Sequence, residues 1–312
     1  MSRVSNLFMF FALIPRLNFF MEIHMPLKEE EKAYYEPALS TQELVRKISA
    51  LGIKKANTEV WQLLILGILA GLYIGFGGNI FLVALEQGMG KIVGGMVFSV
   101  GLVLVVIAGA ELFTGNIIMI ISTILSLYTV KKMLKNWLSV YIGNFIGSLL
   151  FAILIWESGL MGGPDKLTGV GNIAVGVAEA KLGLTFSDAF IRGIFCNMLV
   201  VIAIIMATIS KDVISKMASI VLPIMVFVAC GFEHCVANMF LIPIGLLAKG
   251  ANFTGLFIMF KNILPVTLGN IVGGILILVL HPNRIRQFIY ILRQKKLSKG
   301  DDKTEKEIFN GL

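Results

Sequence analysis

The chain has 312 residues, of which 57% are hydrophobic and only 15% charged, and its net charge is +8, with a mean hydropathy of +0.86. That composition excludes an ordinary soluble protein and belongs to a chain that crosses a membrane several times. The basic residues flank apolar runs instead of forming one patch or stripe, which excludes a nucleic-acid surface and marks topology.

Residues 1–25 read as an N-terminal extension. The apolar stretch Leu7 to Ile14, closed by Pro15 and Arg16, is too short to span, and no small-x-small cleavage site precedes Met25, which is an alternative start. A signal peptide would also place the next segment outside, against the charge rule below. Residues 26–58 form a polar, charged cytoplasmic segment with an amphipathic surface helix predicted around Thr41 to Lys55, where Leu44, Val45, Ile48 and Leu51 share a face.

A channel domain is predicted over 59–281, with repeats at about 59–157 and 185–281. Its first span runs from about Val60 to Leu85. The second apolar run, Ile92 to Leu127, would measure roughly 54 Å as one helix, against a hydrocarbon core of about 30 Å. It must break, fold back or tilt severely, and Glu111 to Asn116 interrupt it. A third span covers about Leu134 to Trp156, followed by a Gly-rich external segment ending at Lys181. The fourth covers about Phe186 to Ile209. The fifth run, Val213 to Ala248, repeats the length problem and contains Pro223, Pro243 and Glu233-His234. The sixth covers about Leu256 to Leu280, and residues 282–312 form a basic tail.

With six spans, one side holds Lys28, Lys32, Arg46, Lys47, Lys54, Lys55, Lys131, Lys132, Lys135, Lys211, Lys216 and the basic tail. The other holds only Lys91, Lys166, Lys181, Arg192, Lys249 and Lys261. Both termini are therefore predicted to be cytoplasmic.

The two long runs share Gly109-x-Glu111-x4-Asn116 and Gly231-x-Glu233-x4-Asn238, 122 residues apart. The spans after them share Lys135-Asn136-x-Leu138-x-Val140-x-x-Gly143-Asn144-x-x-Gly147 and Lys261-Asn262-x-Leu264-x-Val266-x-x-Gly269-Asn270-x-x-Gly273, 126 apart. Three spans per half place the halves in opposite orientations, and paired interrupted helices point to a substrate path at their interface. The expected fold is an all-α polytopic membrane protein of six transmembrane helices, an inverted 3+3 repeat with broken second and fifth helices. The Gly-x3-Gly pairs are read as close-packing faces.

Ionisable groups in mid-membrane are costly and usually face a cavity or the bundle interior. For Glu233 and His234 two readings stand: a functional pair, or a core pair in which Glu233 serves loose backbone N–H groups as a cap does and His234 bonds a neighbour. Histidine titrates near neutral pH, which favours function for His234. Cys196, Cys230 and Cys235 show no disulfide or zinc spacing and read as small core residues.

The segments Gly109-Ala-Glu-Leu-Phe-Thr-Gly-Asn116, Gly231-Phe-Glu-His-Cys-Val-Ala-Asn-Met239 and Asn262-Ile-Leu-Pro-Val-Thr-Leu-Gly-Asn270 together resemble the formate/nitrite transporter family over roughly Leu44 to Leu280, the formate-channel branch above all. The resemblance implies an aquaporin-like protomer, a homopentamer and one pore per protomer. It makes His234 the central histidine, Asn197 a pore asparagine and Lys181 the vestibule lysine. It puts Thr114 in a mobile loop with Leu112 and Phe113 beside it, and Leu102, Phe98, Phe227 and Val200 at hydrophobic constrictions. Glu111, Asn116, Glu233 and Asn238 are then helix-break residues. The motif ends Thr114-Gly115-Asn116 where formate channels often have Thr-Ser.

The implied activity is passive or proton-coupled transport, across the cytoplasmic membrane, of a small monovalent anion or its conjugate acid: formate, nitrite or hydrosulfide. Lys181 attracts the anion, the dry constriction raises its proton affinity, and His234 donates or relays the proton while Thr114 and Asn197 replace lost water. Without the family, Lys181 reads equally as a solvated loop charge, Asn197 as a helix-to-helix hydrogen bond, and the phenylalanines as packing. An aquaporin-type channel for uncharged solutes stands as the alternative, though Asn-Pro-Ala pairs are absent. An embedded enzyme lacks any constellation to carry it, and no catalytic residue, metal site or cofactor is expected.

Overall fold

The computed structural model describes residues 41–280 except residue 164. The extension at 1–25, the first part of the 26–58 segment and the tail at 282–312 lie outside the described residues.

Helix α1 (Thr41–Asn57) is amphipathic. Val45, Ile48 and Ala56 are buried on one face while Arg46 and Lys54 stay exposed. Helix α2 (Val60–Glu86) carries glycines along the face it buries. A side chain at Gly67 would press on the Val140 carbonyl and the Gly143 Cα, and one at Gly147 would run into the Ile68 carbonyl. The small faces predicted from Gly143-x3-Gly147 therefore do set the packing of α2 on α7 (Val130–Glu157).

The second run divides into α3 (Gly90–Phe98), α4 (Val100–Ala108), α5 (Phe113–Asn116), a 3-10 turn (Ile117–Met119) and α6 (Ile120–Ile124). Ser99, where α3 meets α4, shares its amide between the Gly95 and Met96 carbonyls at 3.2 and 3.3 Å, the sign of a local change in helix pitch. After α7 comes a short antiparallel hairpin, β1 (Gly162–Gly163) with β2 (Lys166–Leu167).

The Gly-rich segment between α7 and the next span holds a helix, α8 (Gly169–Leu182), with Thr168 capping it through the Gly171 amide at 3.1 Å. Its small residues Gly171, Ala174 and Ala178 let it lie close against its neighbours, so glycine content here signals packing and not loop. Helix α9 (Phe186–Ile209) follows, then α10 (Val213–Ala229), α11 (Cys235–Ala248), a 3-10 stretch (Thr254–Met259) and α12 (Phe260–Leu280). Gly193 on α9 meets Gly269 on α12 as Gly67 meets Gly143.

Among the described residues, five helical stretches are long and apolar enough to cross a bilayer. The half-length helices Phe113–Ile124, Val213–Ala229 and Cys235–Ala248 are apolar but shorter. Both long runs break where predicted. Of the cysteines, Cys196 and Cys235 are buried, but Cys230 is exposed at the end of α10 and is not a core residue.

The repeat reaches further back than the paired spans. Lys55 on α1 and Lys181 on α8 stand 126 residues apart, like Gly67 and Gly193 or Asn144 and Asn270.

Candidate functional site: the paired helix breaks and the vestibule

Each break starts at a glycine with positive φ, Gly109 at 75° and Gly231 at 70°, a conformation that ends a helix at no steric cost only for glycine. The chain then runs extended before the next half-helix begins, at Leu112 in one half and His234 in the other. Such a break leaves backbone N–H and C=O groups inside the buried, apolar helix bundle, where each must find a partner within the protein.

Asparagines on the following spans supply those partners. Asn144 accepts from the Phe113 amide at 2.9 Å and donates to the Gly67 and Glu111 carbonyls at 2.8 and 2.9 Å. Asn270 accepts from the Cys235 amide at 2.9 Å and donates to the Gly193 and Glu233 carbonyls at 2.8 and 2.9 Å. The Glu111 amide donates to the Leu66 carbonyl and the Glu233 amide to the Arg192 carbonyl.

The acids are not backbone caps. Lys55 Nζ lies 2.8 Å from both carboxylate oxygens of Glu111, and Lys181 Nζ lies 3.0 Å from both of Glu233. Asn116 and Asn238 each donate to their own half's carboxylate at 2.6 Å, and onward to Asn136 and Asn262 at 2.8 and 2.7 Å. Asn136 and Asn262 return to the Lys55 and Lys181 carbonyls at 3.0 and 2.9 Å. The Lys181 and Glu233 side chains are only 14% and 6% exposed, so the lysine read from sequence as a free attractor is compensated where it stands.

The capping role foreseen for Glu233 falls to His234. Its Nδ1 accepts from the Ala237 amide at 3.1 Å, and its Nε2 lies 2.8 Å from Thr114 Oγ1. A backbone N–H can only donate, so Nδ1 carries the lone pair and the neutral ring carries its proton on Nε2, aimed at Thr114. A doubly protonated ring cannot keep the Ala237 bond. His234 thus donates a hydrogen bond as it stands, and donates a proton only after giving up its cap.

The imidazole ends a row of aromatic rings. Phe81 and Phe98 meet edge to face at 6.4 Å, Phe98 and Phe227 at 5.8 Å, and Phe227 stacks on His234 at 5.9 Å. Above this row opens a cavity of about 360 Å³, lined by these four residues together with Lys91, Lys181, Arg192, Glu233 and Asn238 among others.

The structure brings His234, Thr114, Lys181, Phe98, Phe227, Glu233 and Asn238 to the cavity or within one hydrogen bond of it. Leu102, Leu112, Phe113, Val200 and Asn197 are buried away from its wall. Phe113 packs edge to face on Trp137 and Tyr141. Asn197 donates to the Asn270 carbonyl at 2.7 Å, the helix-to-helix bond that was its alternative reading, and its buried Oδ1 has no partner among the described residues. Glu111 and Asn116 serve the other break.

Sequence reasoning missed Lys55, Asn144 and Asn270, although the repeat had marked the two asparagines, and it missed Phe81 and Arg192 on the cavity wall. Among the described residues no His, Cys, Asp and Glu group could hold a metal.

A family profile described as formate/nitrite transporter matches residues 42–282. The chain is 40% identical to a protein of Haemophilus influenzae named formate channel FocA, over 60% of this chain and 71% of that one. It is 35% identical to the formate channel FocA of Escherichia coli K12, over 72% and 86%. Two solved structures share the fold. One, an FNT family ion channel, has a TM-score of 0.65 at 28% identity, over 75% of this chain and 95% of that one. The other, a pentameric formate channel with formate bound, has a TM-score of 0.60 at 32% identity, over 74% and 98%.

Proposed function

The chain belongs to the formate/nitrite transporter family, a multi-pass membrane protein and not an enzyme, and from that premise we propose that it carries formate, or a monovalent anion of similar size such as nitrite or hydrosulfide, across the cytoplasmic membrane. Both termini face the cytoplasm in this reading, and the protein works as a homopentamer, the assembly named for its formate-bound structural relative. The observation that carries the reading is the meeting of His234 and Thr114 at 2.8 Å under a mouth lined by Lys91 and Arg192.

A bare anion entering an apolar constriction faces a desolvation cost on the order of tens of kcal/mol. Protonating a carboxylate of pKa about 4 at pH 7 costs only about 4 kcal/mol. Passage as the neutral acid is therefore the cheaper route. The cationic mouth concentrates the anion, the Phe98 and Phe227 rings strip its water, and the Nε2 hydrogen of His234 and the Thr114 hydroxyl bond its oxygens. The proton is taken from the solvent proton pool that reaches the vestibule, or passes through His234 once the Ala237 bond is released. The Lys181–Glu233 pair holds the broken helix in place, and its charges lend the anion little net attraction.

Proteoliposomes of purified protein test this by uptake of formate, nitrite, hydrosulfide, acetate and lactate at two external pH values, with and without a proton gradient. Formate uptake that rises with an inward proton gradient is the expected result. Movement of glycerol or water with no anion uptake would replace it with a neutral-solute channel.

A further inference from the structure

The vestibule is far larger than its proposed cargo, since formate and nitrite each have three heavy atoms and the cavity measures about 360 Å³, a size that suits an organic ligand. Its wall is predominantly apolar, including Phe81, Leu85, Val177, Leu184, Phe232 and Leu241. A small anion leaves that wall hydrated. The charged part of the lining is equally uneven. Among the described residues Glu233 is its sole acid, and it is taken by Lys181 at 3.0 Å. Lys91 and Arg192 are exposed, and neither forms an ion pair with any described residue.

Two uncompensated cations beside an apolar wall are complementary to a ligand with one anionic head and an apolar body. We propose that the vestibule binds amphiphilic monoanions, aryl or branched-alkyl carboxylates and sulfonates, with the head on Arg192 and Lys91 and the body against Phe81, Leu85, Val177 and Phe232. Such a ligand is too wide for the Phe98–Phe227 pair, so it sits above His234 and closes the route. As a block of transport this rests on the formate reading; as a binding site it does not.

Benzenesulfonate is the probe, because it is a permanent anion and cannot pass as a neutral acid. Calorimetry on the purified full chain in detergent compares it with methanesulfonate, which lacks the ring, and methyl phenyl sulfone, which lacks the charge. Benzenesulfonate should bind, and each truncated probe should bind at least about tenfold more weakly, the share that one buried ring or one charge-assisted contact contributes. The double variant Arg192→Gln, Lys91→Gln should melt at the wild-type temperature and lose about tenfold in benzenesulfonate affinity. In proteoliposomes the same compound, added outside, should inhibit formate uptake in competition with formate.

Equal binding of methanesulfonate and benzenesulfonate would overturn the apolar half of the site, and unchanged affinity in the double variant would overturn the cationic half. If the wild type carries no formate, the calorimetric arm still decides for or against the site. The loss of the transport reading and the loss of this one are thereby separate results.

Discussion

The break around Glu111 and the break around Glu233 each use a lysine, a carboxylate and asparagines in the same order, yet two of the positions at which they differ give side chains that face each other. Leu112 stands where the second break has His234, and Val236 stands where the first has Thr114. The matching parts satisfy backbone and charge, which every broken helix in a membrane requires. The differing parts supply the only hydrogen bond made directly between a side chain of one break and a side chain of the other among the described residues, from His234 to Thr114. The comparison separates scaffold from chemistry: what is duplicated holds the breaks open, and in the proposed mechanism what is not duplicated meets the substrate.

The largest expected effect breaks that comparison on the scaffold side. Glu111→Gln or Glu233→Gln strands a mostly buried lysine, and losing one partner of such a pair costs about 3–5 kcal/mol. If the two scaffolds are equivalent, both variants lower the midpoint of thermal unfolding in detergent by similar amounts. Pairing Glu111→Leu with Lys55→Met should recover much of the loss. A mild Glu111→Gln beside a severe Glu233→Gln would mean that the duplicated parts are not energetically alike.

How much of this was legible in the sequence depends on what kind of signal each part left. The breaks were legible because 36 apolar residues cannot cross about 30 Å as one helix and because each run carries a carboxylate. The asparagines of α7 and α12 were visible as a repeat, but nothing in the sequence said that their amides would close the broken backbone. The partnership of Lys55 with Glu111 was hidden because the helices and the breaks repeat at different spacings, 126 against 122 residues. Helix α8 was hidden by its glycines, which mimic a loop. The pairing of Lys181 with Glu233 joins residues 52 positions apart on different elements, and only the fold brings them together.

The second prediction sharpens the chemical side. His234→Leu gives the second break the residue of the first and removes both the cap on Ala237 and the bond to Thr114. His234→Asn keeps a side chain that caps well and removes the ring proton. A lost cap costs about 1 kcal/mol, so the leucine variant should unfold earlier than the asparagine variant. Both should take up formate with an altered dependence on external pH. Wild-type pH dependence in His234→Asn would reduce the histidine to a cap and make the two breaks alike in chemistry as well as in scaffold.

The last comparison concerns the seam between the halves. Tyr141 and Thr267 occupy equivalent positions, 126 residues apart, and bond each other at 2.9 Å. The Thr267 hydroxyl hydrogen goes to the Ile263 carbonyl at 2.7 Å, so Tyr141 is the donor in that bond and Thr267 the acceptor. Tyr141→Phe therefore leaves every donor at the seam satisfied and should cost about 1 kcal/mol or less. Thr267→Val instead leaves the half-buried tyrosine hydroxyl without an acceptor and should cost about 1–3 kcal/mol, the penalty of an unmade bond. Equal losses would mean that the bond contributes only as a contact. An unequal pair would show that even at equivalent positions the two halves divide the roles of donor and acceptor, as His234 and Thr114 do.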